Sequence, residues 1–150
     1  MRSDNDTDPS ANGLGLGVFG LFVLAALPVC ADLSRYHGDE RFYTDAALHM
    51  RESGDWLTPR YADGSERWNK PLAAYWLIAG SVQLFGASVL AARLPFLLAG
   101  ALVLAFTARA ARVLFQDPRA ALFAAFLLGS SAEFLQLVTR STPDALLAAC

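Results

Sequence analysis

The sequence predicts an all-α integral membrane protein, and three observations carry that expectation. Hydrophobic residues make up 55% of the 150 and are bunched into long runs. Arg109, Arg112 and Arg119 cluster in the short segment between two of those runs, the positive charge expected of a cytoplasmic loop. All 3 tryptophans, Trp56, Trp68 and Trp76, share one interval with Tyr61 and Tyr75, as rings seated at headgroup level do.

Residues 1–13 carry Asp4, Asp6 and Asp8 with Pro9, Asn12 and Gly13, and read as a disordered cytoplasmic tail with nothing to bury. Residues 14–31 are uncharged. At 1.5 Å per residue they reach roughly 27 Å, enough to just cross a bilayer, and form the first expected span. The rival reading is a signal peptide cleaved near Val29-Cys30-Ala31, but the leading segment is acidic where a signal peptide is basic. A lipoprotein reading of Leu27-Pro28-Val29-Cys30 is weaker, because valine fits poorly before a lipidated cysteine.

Residues 32–90 are expected to form an external loop. Within it Phe42, Tyr43, Ala46, Ala47 and Met50 make the stripe of an amphipathic helix that Gly54 would end, with Arg41, Asp45, Arg51 and Glu52 on the other face. Such a helix is expected to lie along the membrane plane. Residues 91–108 and 120–138 are the next two expected spans. If Asp39 is outside, one crossing brings the chain to the arginines and one more returns it to Asp144, so the apolar segment 72–90 must not cross. Gly80, Gln83 and Gly86 interrupt that segment, which agrees with a helix lying along or dipping into the outer face. A full crossing by 72–90 is the competing count, and it would put Asp39 and Asp144 on opposite sides. Residues 145–150 start a further apolar helix, so the chain reads as the N-terminal part of a longer protein or a truncated gene product.

The net charge of -2 and the lack of any Lys/Arg-rich block leave no electrostatic footprint for nucleic acid. Cys30 and Cys150 sit in apolar surroundings without metal-ligand spacing and are expected to be packing residues.

Three short strings carry the candidate chemistry: Gly38-Asp39-Glu40, Asn69-Lys70-Pro71 and Thr142-Pro143-Asp144. A carboxylate close to apolar surroundings suits a general base or an anchor for a divalent metal, and Asp39 and Asp144 are the catalytic candidates. Either could instead be a helix N-cap. Lys70 is a compact cation suited to neutralising a phosphate, or a lysine snorkelling from the start of an apolar segment. Arg140 could bind an anion or simply sit at the interface. Glu133, inside an apolar run, is a functional candidate by default and could equally pair with Arg140.

The string Asp39-Glu40, Tyr43, Glu52-Ser53-Gly54-Asp55-Trp56-Leu57-Thr58-Pro59-Arg60, Lys70-Pro71-Leu72 and Tyr75-Trp76-Leu77 resembles the opening of the polyprenyl-phosphate-dependent glycosyltransferases of the GT-C fold. Leu84-Phe85-Gly86, Ala92-Arg93-Leu94-Pro95 and Thr142-Pro143-Asp144 continue the match, which covers about residues 36–150. The group it is most similar to contains the bacterial aminoarabinose transferase that modifies lipid A and related protein mannosyltransferases. The resemblance implies the N-terminal part of a GT-C helix bundle with juxtamembrane helices in its first external loop. It also implies a multi-pass enzyme of the bacterial inner membrane that moves a sugar from a polyprenyl-phosphate donor to a lipid, glycan or protein acceptor at the periplasmic face. Asp39 then matches the central catalytic residue, Lys70 lies near the carrier phosphate, and Asp144 lines the same cavity. Glu40, Tyr43 and Arg140 join Lys70 as candidate substrate-binding residues. A divalent metal is the one candidate cofactor, but Asn69, a poorer ligand, stands where family members commonly have Glu. Phe42 stands where an arginine is frequent, with Arg41 shifted by one. Family members are several times longer, so this chain alone is not expected to enclose an active site. The alternative from another class is a non-catalytic polytopic membrane protein, such as a transporter fragment or assembly subunit.

Overall fold

A computed structural model describes residues 9–35, 38–68 and 70–149, and its regular structure is helical apart from one isolated β-bridge among those residues. The first helix, α1 (Pro9–Ala31), begins before the expected span. A proline at the first helical position costs no hydrogen bond, so the helix takes in residues 9–13 that the polar composition assigned to a disordered tail. Residues 1–8 of that expected tail lie outside the described residues. Leu16, Leu21 and Leu24 project outward from α1, while Phe22, Ala26 and Cys30 are buried.

Helix α2 (Gly38–Ser53) stops where expected: Gly54 adopts φ +74°, and its N–H donates to Met50 O at 3.1 Å. Its stripe of Tyr43, Ala46, Ala47 and Met50 is not laid on lipid but covered by Ala74, Tyr75, Ile78, Ala79 and Val82 of α3 (Leu72–Phe85). Enclosing side chains such as Met50 and Ile78 contributes about 1.5–3 kcal/mol each. Phe42, expected in the stripe, stays half exposed and meets the ring of Tyr61 edge-on at 5.9 Å.

Between α2 and α3 the chain makes a small hairpin. Tyr61 N–H donates to Ser65 O (2.8 Å), Arg67 N–H to Pro59 O (2.7 Å) and Gly64 N–H to Tyr61 O (2.9 Å), with Gly64 at φ +83°. Asp63 accepts the N–H and hydroxyl of Ser65, and Asp55 accepts the N–H groups of Leu57 and Thr58. Hydrogen bonding of the ionised form lowers both carboxyl pKa values, through Leu57 first at Asp55 and the Ser65 hydroxyl first at Asp63.

Helix α4 (Val89–Phe115) has 27 residues and is long and apolar enough to cross a membrane, as is residues 13–31 of α1. Ser88 caps it by accepting the N–H of Ala91. Pro95 has no N–H for the carbonyl of Ala91 four residues back, and the Ser81 hydroxyl donates to that carbonyl at 2.6 Å. Gln116, at φ +53°, closes α4, and Asp117 caps α5 (Pro118–Gly129).

The segment expected to span over 120–138 forms two helices, α5 and α6 (Ala132–Val138), that together are apolar enough for one crossing but are bent by 72°. The bend falls at Gly129-Ser130-Ser131, where Ser130 N–H bonds to Phe126 O and its hydroxyl to Leu127 O, so the backbone groups near the break remain paired. Hydrophobic periodicity does not reveal such a break because both halves are apolar. Helix α7 (Asp144–Ala149) ends the described chain.

Contacts fix the order of the ends. Cys30, near the end of α1, meets Arg93 in the second turn of α4, so α1 and α4 run antiparallel. Ala121 and Ala125 of α5 share a core with Leu104 and Ala108, and Val138 of α6 packs on Gly100 further up α4. The chain therefore climbs back along α4 toward the end that holds Arg93. Helix α3 joins the same end at both its termini, through Tyr75 on Tyr43 (5.7 Å) and through the short link into α4.

Candidate active site

The centre of this end is a buried ion pair. Glu40, in the first turn of α2, is 0% exposed, and Arg93 is 1% exposed. Arg93 Nε and Nη2 donate to the two Glu40 oxygens at 2.9 and 2.8 Å, a fork that matches carboxylate geometry. Arg93 Nη1 donates to the carbonyls of Cys30 and Asp32 at 3.1 Å, which engages the end of α1. Glu40 Oε1 also accepts the Ser141 N–H at 2.7 Å and its hydroxyl at 3.3 Å. Four segments thus meet on one pair of charges.

That knot ties one candidate string to the loop before another. Glu40, next to Asp39, is bonded to Ser141, which lies three residues before Asp144. The third string is tied in through Tyr75, whose ring meets Tyr43 and whose hydroxyl accepts from Arg67 Nε at 3.0 Å. Lys70 lies within the loop closed by that Arg67–Tyr75 bond.

The candidates divide into two groups. Asp39, Lys70 and Asp144 are exposed and make no hydrogen bond or ion pair among the described residues. Glu40 and Tyr43, expected at the substrate, are buried, and Glu40 is fully engaged as described above. Arg140 donates to Gln136 at 3.0 Å rather than to Glu133, which is exposed in the first turn of α6.

Arg93 was passed over in the sequence except as part of a motif. The signal was present: an arginine within an apolar run calls for a buried acid, by the same rule that singled out Glu133. Arg67 was also missed. It is 7% exposed, with its guanidinium carbon 4.8–5.3 Å from the ring centres of Phe42, Tyr43 and Tyr61. Burial pulls its pKa down, and the Tyr75 hydroxyl with the surrounding tyrosines more than offsets this, leaving it above the ordinary value.

Among the described residues, no three His, Cys, Asp or Glu side chains come together as ligands. Asn69, the position that departs from the family pattern, lies outside the described residues.

An apolar helical bundle with two helices long enough to cross a membrane defines an all-α membrane protein. The chain belongs to a GT-C glycosyltransferase family, described as dolichyl-phosphate-mannose-protein mannosyltransferase, whose match covers residues 69–150. It is similar to the undecaprenyl phosphate-alpha-4-amino-4-deoxy-L-arabinose arabinosyl transferase of Pseudomonas aeruginosa, with 34% identity over 75% of this chain and 20% of the relative. A second such transferase, from Pseudomonas fluorescens, is 34% identical over 75% of this chain and 18% of its own length. An uncharacterised protein of Aquifex aeolicus is 32% identical over 71% and 21%. The chain thus spans about a fifth of the length of these relatives. No solved structure matches it.

Proposed function

We propose that this chain forms the first part of a membrane glycosyltransferase that takes a sugar from a polyprenyl-phosphate donor, with Asp39 at the reacting centre. The observation that supports this reading is the pair of hydrogen bonds from Ser141 to Glu40, which join the residue after Asp39 to the loop that leads to Asp144. In the proposed reaction an acceptor hydroxyl loses its proton to the Asp39 carboxylate as its oxygen forms a bond to the sugar's anomeric carbon. The bond from that carbon to the phosphate oxygen breaks, and polyprenyl phosphate departs. Lys70, with Arg140, neutralises the charge that gathers on the departing phosphate, and a preorganised cation is most effective there. Asp144 completes the acidic side of the site and orients the acceptor. The acceptor is a lipid, glycan or protein, and the undecaprenyl phosphate-linked sugar named for the Pseudomonas relatives supports a polyprenyl-phosphate donor. The proposed location is the bacterial inner membrane, with Asp39 and Asp144 on the periplasmic side and the arginines around Gln116 in the cytoplasm.

The test is Asp39→Asn in the full-length protein encoded by the complete gene, reconstituted in membranes and supplied with a polyprenyl-phosphate sugar. Consumption of the lipid-linked sugar should fall by roughly 10²-fold or more with membrane insertion unchanged. Equal consumption would remove Asp39 from the reaction. Cysteines placed at 39 and 144 should react with an impermeant reagent in intact cells, and a tag after Gln116 should not be reached from outside.

A further inference from the structure

We infer that the outward face of α6, which carries Glu133 and Gln136 and leads to Arg140, lines a water-filled cleft running from the Asp144 side of the proposed site down to the middle of the membrane. This extends the reading above and rests on its outer placement of Asp144. Contacts fix the depth of α6. The Phe134 ring meets that of Phe22, the central residue of the 13–31 span, at 5.8 Å. A Cβ at Gly129 would touch Leu104, and Val138 packs on Gly100, so α6 and the break before it lie against the middle of α4, whose central residue is Leu102. Beyond α6, Ser141 is bonded to Glu40 at the end that holds Arg93. The segment thus rises from mid-depth to the site.

Two independent features at that depth call for cover other than lipid. The first is Glu133, which is exposed and makes no hydrogen bond or ion pair among the described residues. A carboxylate against hydrocarbon is costly, and membrane proteins turn such groups toward the protein interior or a water-filled cavity. The second is the 72° break at Gly129-Ser130-Ser131, where Ser130 is exposed. Interrupted backbone at membrane depth persists only where protein or a water-filled cavity covers it. The length of the polar surface selects water. Gln136 is exposed one turn after Glu133, and Arg140 Nη2 donates to its Oε1 at 3.0 Å, so three polar side chains follow one another over about 10 Å. A single partner side chain would satisfy Glu133 alone, whereas a cleft hydrates the whole row. The inner face of α6 carries Phe134 and Val138, both in the apolar core.

Single cysteines test this in the full-length protein encoded by the complete gene, in a background without other reactive cysteines. A membrane-impermeant, cationic methanethiosulfonate is applied to right-side-out and to inverted membrane vesicles. From the outer side, Glu133→Cys and Gln136→Cys should react at least about tenfold faster than Phe123→Cys and Leu127→Cys at exposed apolar positions of α5, because a thiol ionises in water and not in apolar surroundings. Inverted vesicles should show no reaction at 133 or 136. An inserted Glu133→Cys that stays unreactive from both sides, with Asp144→Cys labelled from outside, overturns the cleft and leaves the outer site standing. Reaction at 133 from the cytoplasmic side alone overturns it as well. If Glu133→Cys does not insert, Gln136→Cys carries the test, and its silence overturns the cleft. Labelling at 133 and 136 from outside while Asp39→Asn retains full sugar consumption upholds the cleft and removes the reaction assigned to Asp39.

Discussion

Glu40 and Arg93 stand 53 residues apart in sequence and share two hydrogen bonds of 2.9 and 2.8 Å inside the protein. Removing one partner strands the other charge, so Glu40→Gln should destabilise the bundle by about 3–5 kcal/mol. Replacing both, as Glu40→Leu with Arg93→Met, should cost less than either single change. Unfolding in detergent micelles measures all three, and a double variant as unstable as the sum of the singles would refute the pairing.

Ser81 and Pro95 form a second linked pair. Ser81→Ala leaves the Ala91 carbonyl without its donor and should cost about 1–3 kcal/mol. Pro95→Ala restores the helical N–H, so the Ser81→Ala loss should be much smaller in that background. Equal losses in both backgrounds would mean that the hydroxyl does not serve the carbonyl.

At Gly100 an added Cβ would fall 2.6 Å from Val138 Cβ, an atom that cannot swing aside. Gly100→Ala should therefore push α6 away from α4 at a cost of about 1–3 kcal/mol. Gly129→Ala is the control, because its Cβ would meet Leu104 at an ordinary 3.5 Å. Thermal unfolding of the two variants should differ clearly.

The hairpin between α2 and α3 should loosen in acid. Asp55 and Asp63 have lowered pKa values in the folded chain, so their contribution is present above the ordinary carboxylate pKa and is lost as pH falls through the lowered values. Amide shifts of Leu57, Thr58 and Ser65, followed by NMR from about pH 6 to about 2, should titrate together with the carboxyl signals. In Asp55→Asn the acid transition at Leu57 and Thr58 should vanish while that at Ser65 persists.

The elements easiest to read in the sequence were those with a local cause. Gly54 ends α2 because a left-handed residue suits a helix end, and the uncharged run through residue 31 is helical because little in it disfavours helix. The 72° break before α6 was hidden, since Gly129-Ser130-Ser131 is compatible with either a straight or a broken helix until packing on Gly100 decides. The stripe on α2 was visible, but not what covers it: an amphipathic face looks the same against lipid as against Ala74 and Ile78. At the site, Asp39, Lys70 and Asp144 could be chosen as polar groups at the edges of apolar segments. Glu40 looked identical to Asp39 in type, and only the distant Arg93 separates a buried structural acid from an exposed one.

The span of 101 residues between Glu40 and Ser141 also sets an order for biogenesis. During synthesis Glu40 can meet Arg93 once α4 has emerged, but its bonds to the Ser141 N–H and hydroxyl must wait until the ribosome has released that residue. The ion pair can therefore form before the tie to Ser141, and a nascent chain stalled in between would hold Glu40 on Arg93 with one of its acceptor oxygens still awaiting that donor.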